Sequence, residues 1–187
     1  AILKSGGHLV RDEVAEQIVR FVSAPRAHRS SDDLERLEVE PALLSVVCRE
    51  LNNQRLREGR PEITVGQLQD GAQQQIIHDF YEESLADVDI RVRYFVEDQL
   101  LTDAGYRDSS ALDDALLFPG VTREAIDLLI SRRLLRLEER SGVLRVELTH
   151  DVLTRVACES RDLRRQEEDE RRRREEEATR RQRNRRL

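Results

Sequence analysis

The residues with the most chemical reach in this chain are four histidines, His8, His28, His78 and His150, and two cysteines, Cys48 and Cys158. None stands at metal-ligand spacing from another, because a zinc site draws on ligand pairs a few residues apart. Both cysteines fall inside apolar helical patterns, where a reduced thiol behaves as a small hydrophobe. Ser45 and Cys48 share an apolar face with no nearby histidine to activate a nucleophile. His78-Asp79 lies beside Phe80 and Tyr81, and packing accounts for it. The acidic pairs Glu82-Glu83 and Asp113-Asp114 read as solvated helix faces. No G-x-x-x-x-G-K-[ST] loop occurs, since Gly6-Gly7 runs into His8-Leu9, and no apolar strand ends in paired acids to hold Mg²⁺. These residues are therefore not expected to hydrolyse a nucleotide alone. Two positions keep a chemical interest: Pro41 at a helix start, and Thr149-His150-Asp151 between an alternating segment and a helix.

The elements that must position them follow from periodicity. Residues 12–22 predict a helix capped by Asp12, with Val14, Ile18, Val19 and Val22 on one face. A polar loop over 24–33 ends at Asp32 or Asp33, either of which suits a cap. Glu40-Pro41 opens an apolar helix through Leu43, Leu44, Val46, Val47, Cys48 and Leu51, where proline's missing N–H is not needed. Gly59 stops it. Thr64 caps a further helix, with Leu68, Ile76, Ile77, Phe80, Tyr81 and Leu85 as its stripe and Gly71 loosening its middle.

A second unit begins near Asp89. Val92, Phe95, Val96, Leu100 and Leu101 give one helical face, 109–117 a short second helix, and Thr122 starts a third that runs to Arg133. The period then changes to two. Residues 135–140 read as one strand, Ser141-Gly142 as a tight turn, and a second strand sets Leu144, Val146 and Leu148 against Arg145 and Glu147. A last helix begins at Thr149 or His150 with Val152, Leu153, Val156 and Ala157, and runs into a charged tail.

Charge is unevenly spread. Residues 162–187 hold eleven Arg against eight Asp or Glu, a local +3, so the rest carries −9 of the chain's net −6. In the tail, Glu167, Glu168, Asp169 and Glu170 precede Arg171, Arg172, Arg173 and Arg174 by four residues, the favourable orientation for helical ion pairs. Without an apolar seam, it is expected to be a solvated single helix or a frayed linker. No apolar run reaches membrane-spanning length and nothing resembles a signal peptide, so a cytoplasmic body is expected. The chain lacks Met and begins Ala-Ile-Leu. That start suggests a piece of a longer protein.

Taken together, residues 1–161 resemble the region that follows the ATPase core in STAND NTPases, specifically the bacterial novel STAND NTPases of defence and signalling. The resemblance rests on Glu38 to Leu51 (EVEPALLSVVCREL), Asp79-Phe80-Tyr81-Glu82, Phe95 to Thr102 (FVEDQLLT) and Glu147 to Leu153 (ELTHDVL). It implies a mainly α chain: a helical lid over 1–87, a winged-helix domain with one β-hairpin over 88–161, and a long charged C-terminal helix over 162–187. It further implies that Pro41, supported by Leu43, packs on the adenine of a bound nucleotide. His150, flanked by Thr149 and Asp151 where the family motif reads Met-His-Asp, would contact the β-phosphate of ADP. An imidazole N–H can donate to a phosphate oxygen, and a neighbouring diphosphate raises its pKa toward the charged form. On this resemblance the parent protein binds ATP or ADP with Mg. Its ATPase core lies upstream, its sensor or effector (or a membrane span) lies downstream, and activation produces a homo-oligomer.

Two other readings fit the same elements. A winged helix can bind DNA, with residues 122–133 in the major groove. That helix offers Arg123, Arg132 and Arg133 against Glu124 and Asp127, and the surrounding body has the wrong sign for phosphate attraction. Nucleic acid is therefore not the expected partner. The other reading is a plain protein-interaction module with the tail as spacer. From the residues alone, His150 can equally be a helix cap that touches no ligand.

Overall fold

The computed structural model describes residues 9–23, 41–68 and 72–184. Gly6-Gly7, His8, His28, Asp32, Asp33 and Gly71 lie outside the described residues. The described chain is mainly helical: α1 (Asp12–Ser23), α2 (Pro41–Arg57), a 3-10 turn (Val65–Leu68), α3 (Ala72–Leu85), α4 (Ile90–Gln99), β1 (Ser109–Ala111), α5 (Leu112–Leu117), α6 (Arg123–Ser131), β2 (Leu135–Arg140), β3 (Val143–Leu148) and α7 (Val152–Asn184). It forms two compact units, which part between Asp87 and Val88; Asp127–Arg136 groups with the first and Leu137 onward with the second.

In the first unit each helix buries the stripe its spacing dictates. Val14, Ile18 and Val22 of α1, Val46, Val47 and Leu51 of α2, and Ile76, Ile77, Phe80, Tyr81 and Leu85 of α3 are all buried. Gly59 ends α2 with φ +63, its N–H donating to Leu56 O at 3.2 Å while Arg60 N–H reaches Arg55 O at 3.0 Å. This is the paired closure that favours a left-handed residue after a helix. Thr64 caps the 3-10 turn instead of opening one long helix. Its N–H donates to Gln67 Oε1 at 3.0 Å, Gln67 N–H returns to Thr64 O at 3.1 Å, and buried Gln67 also donates from Nε2 to Leu51 O at 3.2 Å. The carboxamide thus ties the turn to α2.

The helix expected over 122–133 ends at Ser131, because Arg133 turns left-handed with φ +65. Arg133 N–H donates to Ile130 O at 2.9 Å and Leu134 N–H to Leu129 O at 3.0 Å, the closure that Gly59 makes on α2, here without glycine.

In the second unit the expected helix over 109–117 is corrected. Its first three residues are strand β1, paired antiparallel with β3 (Ser109↔Glu147, Ser110↔Val146, Ala111↔Arg145), and only Leu112–Leu117 is helical. Serines compete with the helical backbone for hydrogen bonds and yield readily to a waiting ladder. The single expected hairpin thereby becomes a three-stranded sheet of order β1-β3-β2. Ser141 and Gly142, with φ +54 and +77, form the tight turn between β2 and β3. Positive φ at both central residues matches the right-handed twist of a hairpin.

As the central strand, β3 departs from the expected alternation. Val146, Glu147 and Leu148 are all buried, whereas Leu144 is exposed. Arg140 Nη2 meets the buried Glu147 carboxylate at 3.0 Å. Gly105, with φ +84, closes the turn after α4; a Cβ there would stand 3.2 Å from Cys158 Sγ of α7. The tail is not frayed over the described residues: α7 continues unbroken to Asn184.

Candidate functional site

Thr149, His150 and Asp151 form the link between β3 and α7. The first amides of a helix need acceptors, and the link supplies them. His150 Nδ1 accepts from Val152 N–H at 3.0 Å, His150 O from Leu153 N–H at 3.1 Å, and Asp151 O from Thr154 N–H at 3.0 Å. His150 is half-buried and does cap the helix. With Nδ1 accepting, the neutral ring carries its proton on Nε2, the nitrogen through which it can donate.

Arg107 braces the same link. Its Nη1 donates to Leu148 O at 3.2 Å and its Nε pairs with Asp151 Oδ1 at 3.0 Å. Asp151 thus orients the link, as an ion partner. The hydroxyl of Thr149 is buried, and its Oγ1 has no hydrogen-bond partner. In a packed interior such an atom costs about 1–3 kcal/mol.

Pro41 is exposed and is the first residue of α2, where a ring without an N–H donor loses nothing. Leu43 lies in the same first turn; its side chain is outside the described ones. Pro41 belongs to the first unit and the 149–151 link to the second. Further along α2, Ser45 Oγ accepts from Arg133 Nη1 at 3.0 Å. Cys48 and Cys158 are free thiols, and burial pushes each above its usual pKa. Neither has the lowered pKa of a reactive cysteine. Exposed His78 stands 3.6 Å from Asp79. Among the described residues no group of three His, Cys, Asp or Glu side chains is placed to hold a metal.

The arginines at the end of α6 are engaged by neighbouring groups. Arg132 Nη2 donates to Asp87 Oδ2 and Nη1 to Ser84 O, both at 2.8 Å. The guanidinium beside it holds the Asp87 carboxyl below the usual range. With Arg133 on Ser45, two of the three arginines that a DNA-reading helix would offer are engaged within the first unit.

Sequence reasoning missed a polar cluster between α4 and α7. Glu97, fully buried on α4, accepts from Ser160 Oγ at 2.6 Å and Arg164 Nε at 2.9 Å. Asp98 accepts from Arg164 Nη2 at 2.8 Å and Arg165 Nη2 at 2.9 Å. A signal was present: the apolar stripe Leu153, Val156, Ala157 continues at helical spacing as Ser160, Arg161 and Arg164. Polar residues that prolong a buried stripe need partners on the facing element.

Comparison with known proteins adds no relative: no protein-family model matches the chain, and neither does any curated protein or solved structure. No described helix is long and apolar enough to cross a membrane.

Proposed function

We propose that this chain is the regulatory lid and winged-helix portion of a STAND-type ATPase switch, reading ADP or ATP held by an upstream core and relaying the state to neighbouring domains and to oligomerisation. The observation that carries the reading is the order of elements in 88–161. Helix, strand, helix, helix and hairpin, with the first strand laid against the second hairpin strand, is the order that a winged helix would require and supports that reading. The histidine of the family motif falls at the junction of that hairpin with the next helix. An exposed proline ring suits an adenine face, and a half-buried imidazole with Nε2–H suits a phosphate oxygen. With Nδ1 engaged by Val152, the neutral ring suffices as donor. A second proton on Nδ1 would cost the cap. Magnesium and hydrolysis belong to the upstream core on this reading. DNA recognition is the weaker reading, because Arg132 and Arg133 are spent on Asp87, Ser84 and Ser45.

The cheapest test is the coding sequence upstream of Ala1: a G-x-x-x-x-G-K-[ST] loop is expected, and its absence removes the proposal. In the chain joined to that core, three variants separate cap from ligand contact. His150→Asn and His150→Asp each keep a side-chain acceptor for Val152 N–H, but the aspartate repels a diphosphate. His150→Asp should melt like His150→Asn yet release ADP at least tenfold faster. If all three variants, His150→Ala included, retain ADP equally, the histidine is a cap alone and the nucleotide role is wrong.

A further inference from the structure

We infer that the contact between α4 and α7 is a clamp that fixes the direction of the charged helix, making residues 166–184 a lever carried rigidly by the second unit. This inference stands apart from the nucleotide reading, since the groups that carry it lie on α4, its C-terminal turn and α7.

The clamp is confined to the stretch of α7 just before residue 166. Its members there, Ser160, Arg161, Arg164 and Arg165, span less than two helical turns. Ser160 Oγ and Arg164 Nε take one oxygen each of buried Glu97. Arg164 and Arg165 divide the two oxygens of Asp98. The Arg164 guanidinium also lies 4.3 Å from the centre of the Tyr94 ring. Arg93 Nη1 reaches Ser160 Oγ at 3.3 Å, and Arg161, only 4% exposed, donates to Thr102 O at 3.1 Å. Hydrophobic residues of the same volume would serve stability as well as a buried ion pair does. A planar guanidinium held on two carboxylates and a ring adds direction, because sliding or rotation of α7 breaks several aligned bonds together.

Beyond Arg165 every described side chain is exposed. The stretch is held by pairs within the helix: Asp169–Arg172 at 2.8 Å, Glu170–Arg174 at 3.4 Å, Arg171–Glu175 at 4.0 Å and Glu177–Arg181 at 3.7 Å. A helix polar all round, laced by such pairs and lacking an apolar seam, is suited to bridge solvent between domains and not to coil with a partner. At roughly 1.5 Å per residue, 166–184 extends about 28 Å, so a turn of about 20° at the clamp shifts its far end by about 10 Å. Small rotations of the second unit thereby become large displacements of whatever joins the helix end.

The test is a distance distribution by double electron–electron resonance on the full chain, with spin labels at Asp113→Cys on α5 and Thr179→Cys on α7, in a Cys48→Ala, Cys158→Ala background. One narrow distance population is expected. Glu97→Gln should at least double its width, while amides of β3 stay protected from exchange. If Glu97→Gln unfolds the unit, Asp98→Asn serves instead: it leaves the buried pair in place and should broaden the distribution measurably. A broad distribution in the parent chain overturns the lever. A width unchanged by Asp98→Asn, or by a folded Glu97→Gln, overturns the clamp.

Discussion

Each compact unit buries a glutamate on a helix, Glu50 in the first and Glu97 in the second, and the two are treated differently. Glu97 of the second unit is fully buried with both oxygens engaged, by Ser160 at 2.6 Å and Arg164 at 2.9 Å. Glu50 of the first unit is 4% exposed, yet its Oε1 has only long contacts, to Arg49 Nε at 3.3 Å and Asn53 Nδ2 at 3.4 Å. Its Oε2 is buried with no partner. Burial first, then the charge of Glu83, push the Glu50 carboxyl above its usual pKa, and Arg49 and Arg57 only partly pull it back. The same side chain is a joint in one unit and a liability in the other. What separates them is whether the facing helix brings donors.

One substitution made at both positions tests that difference. Glu97→Met leaves the Arg164 guanidinium facing Asp98 and a methionine, and breaking a buried pair from one side costs about 3–5 kcal/mol. Urea unfolding followed by circular dichroism should show that loss. Glu50→Met removes an ill-satisfied carboxylate whose lost partners, Arg49 and Asn53, can turn to water, and it should raise stability by about 1 kcal/mol. Two changes of the same sign would break the contrast.

The pH dependence gives a second handle on Glu50. Its folded pKa lies above the unfolded value of about 4.3, so between the two the folded state holds more protons. Its contribution is most favourable below the unfolded pKa and is lost as pH rises through the raised folded value. Glu50→Met should therefore flatten the fall in stability across mildly acidic pH, by an amount comparable to its gain at pH 7. An unchanged slope would mean that Glu50 is ionised at no extra cost.

Among the described residues, Thr149 is the other with a buried side-chain polar atom that has no partner. Replacing it with Val keeps the shape and removes the orphan hydroxyl, so a gain of up to about 1 kcal/mol is expected. If stability falls instead, Oγ1 is hydrogen-bonded in solution and the hydroxyl is not an orphan. Because Thr149 adjoins His150, the measurement should include amide exchange at Val152 and Leu153, which reports the cap directly.

How much of the fold and site was legible in the sequence depends on the range of the interactions. The helix stripes, the stop at Gly59, the Ser141-Gly142 turn and the proline opening of α2 are local, and residue spacing announces them. Strand β1 was not legible, since Ser109-Ser110-Ala111 carries little strand signal of its own and pairs only because β3 is there to receive it. The burial of Glu97 was hidden for the same reason: its partners, Ser160 and Arg164, lie on an element distant in the chain. Of the site, the capping position of His150 could be read from the hairpin before it and the helix after it. The brace from Arg107, 41 residues away from Leu148, could not.

The smallest expected effect lies in the tail and completes the contrast between the clamp and the lever. Glu170 and Arg174 are 53% and 81% exposed, and a pair of this kind contributes about 0.2–0.5 kcal/mol. Glu170→Gln should lower helicity slightly at low salt and not at all in 1 M NaCl, where screening reaches about 3 Å. The cost of Glu97→Met should persist in 1 M NaCl, because the buried pair is not reached by mobile ions. If both effects vanish with salt, the Glu97–Arg164 pair is as open to solvent as the tail, and α7 is held to α4 by its apolar residues alone.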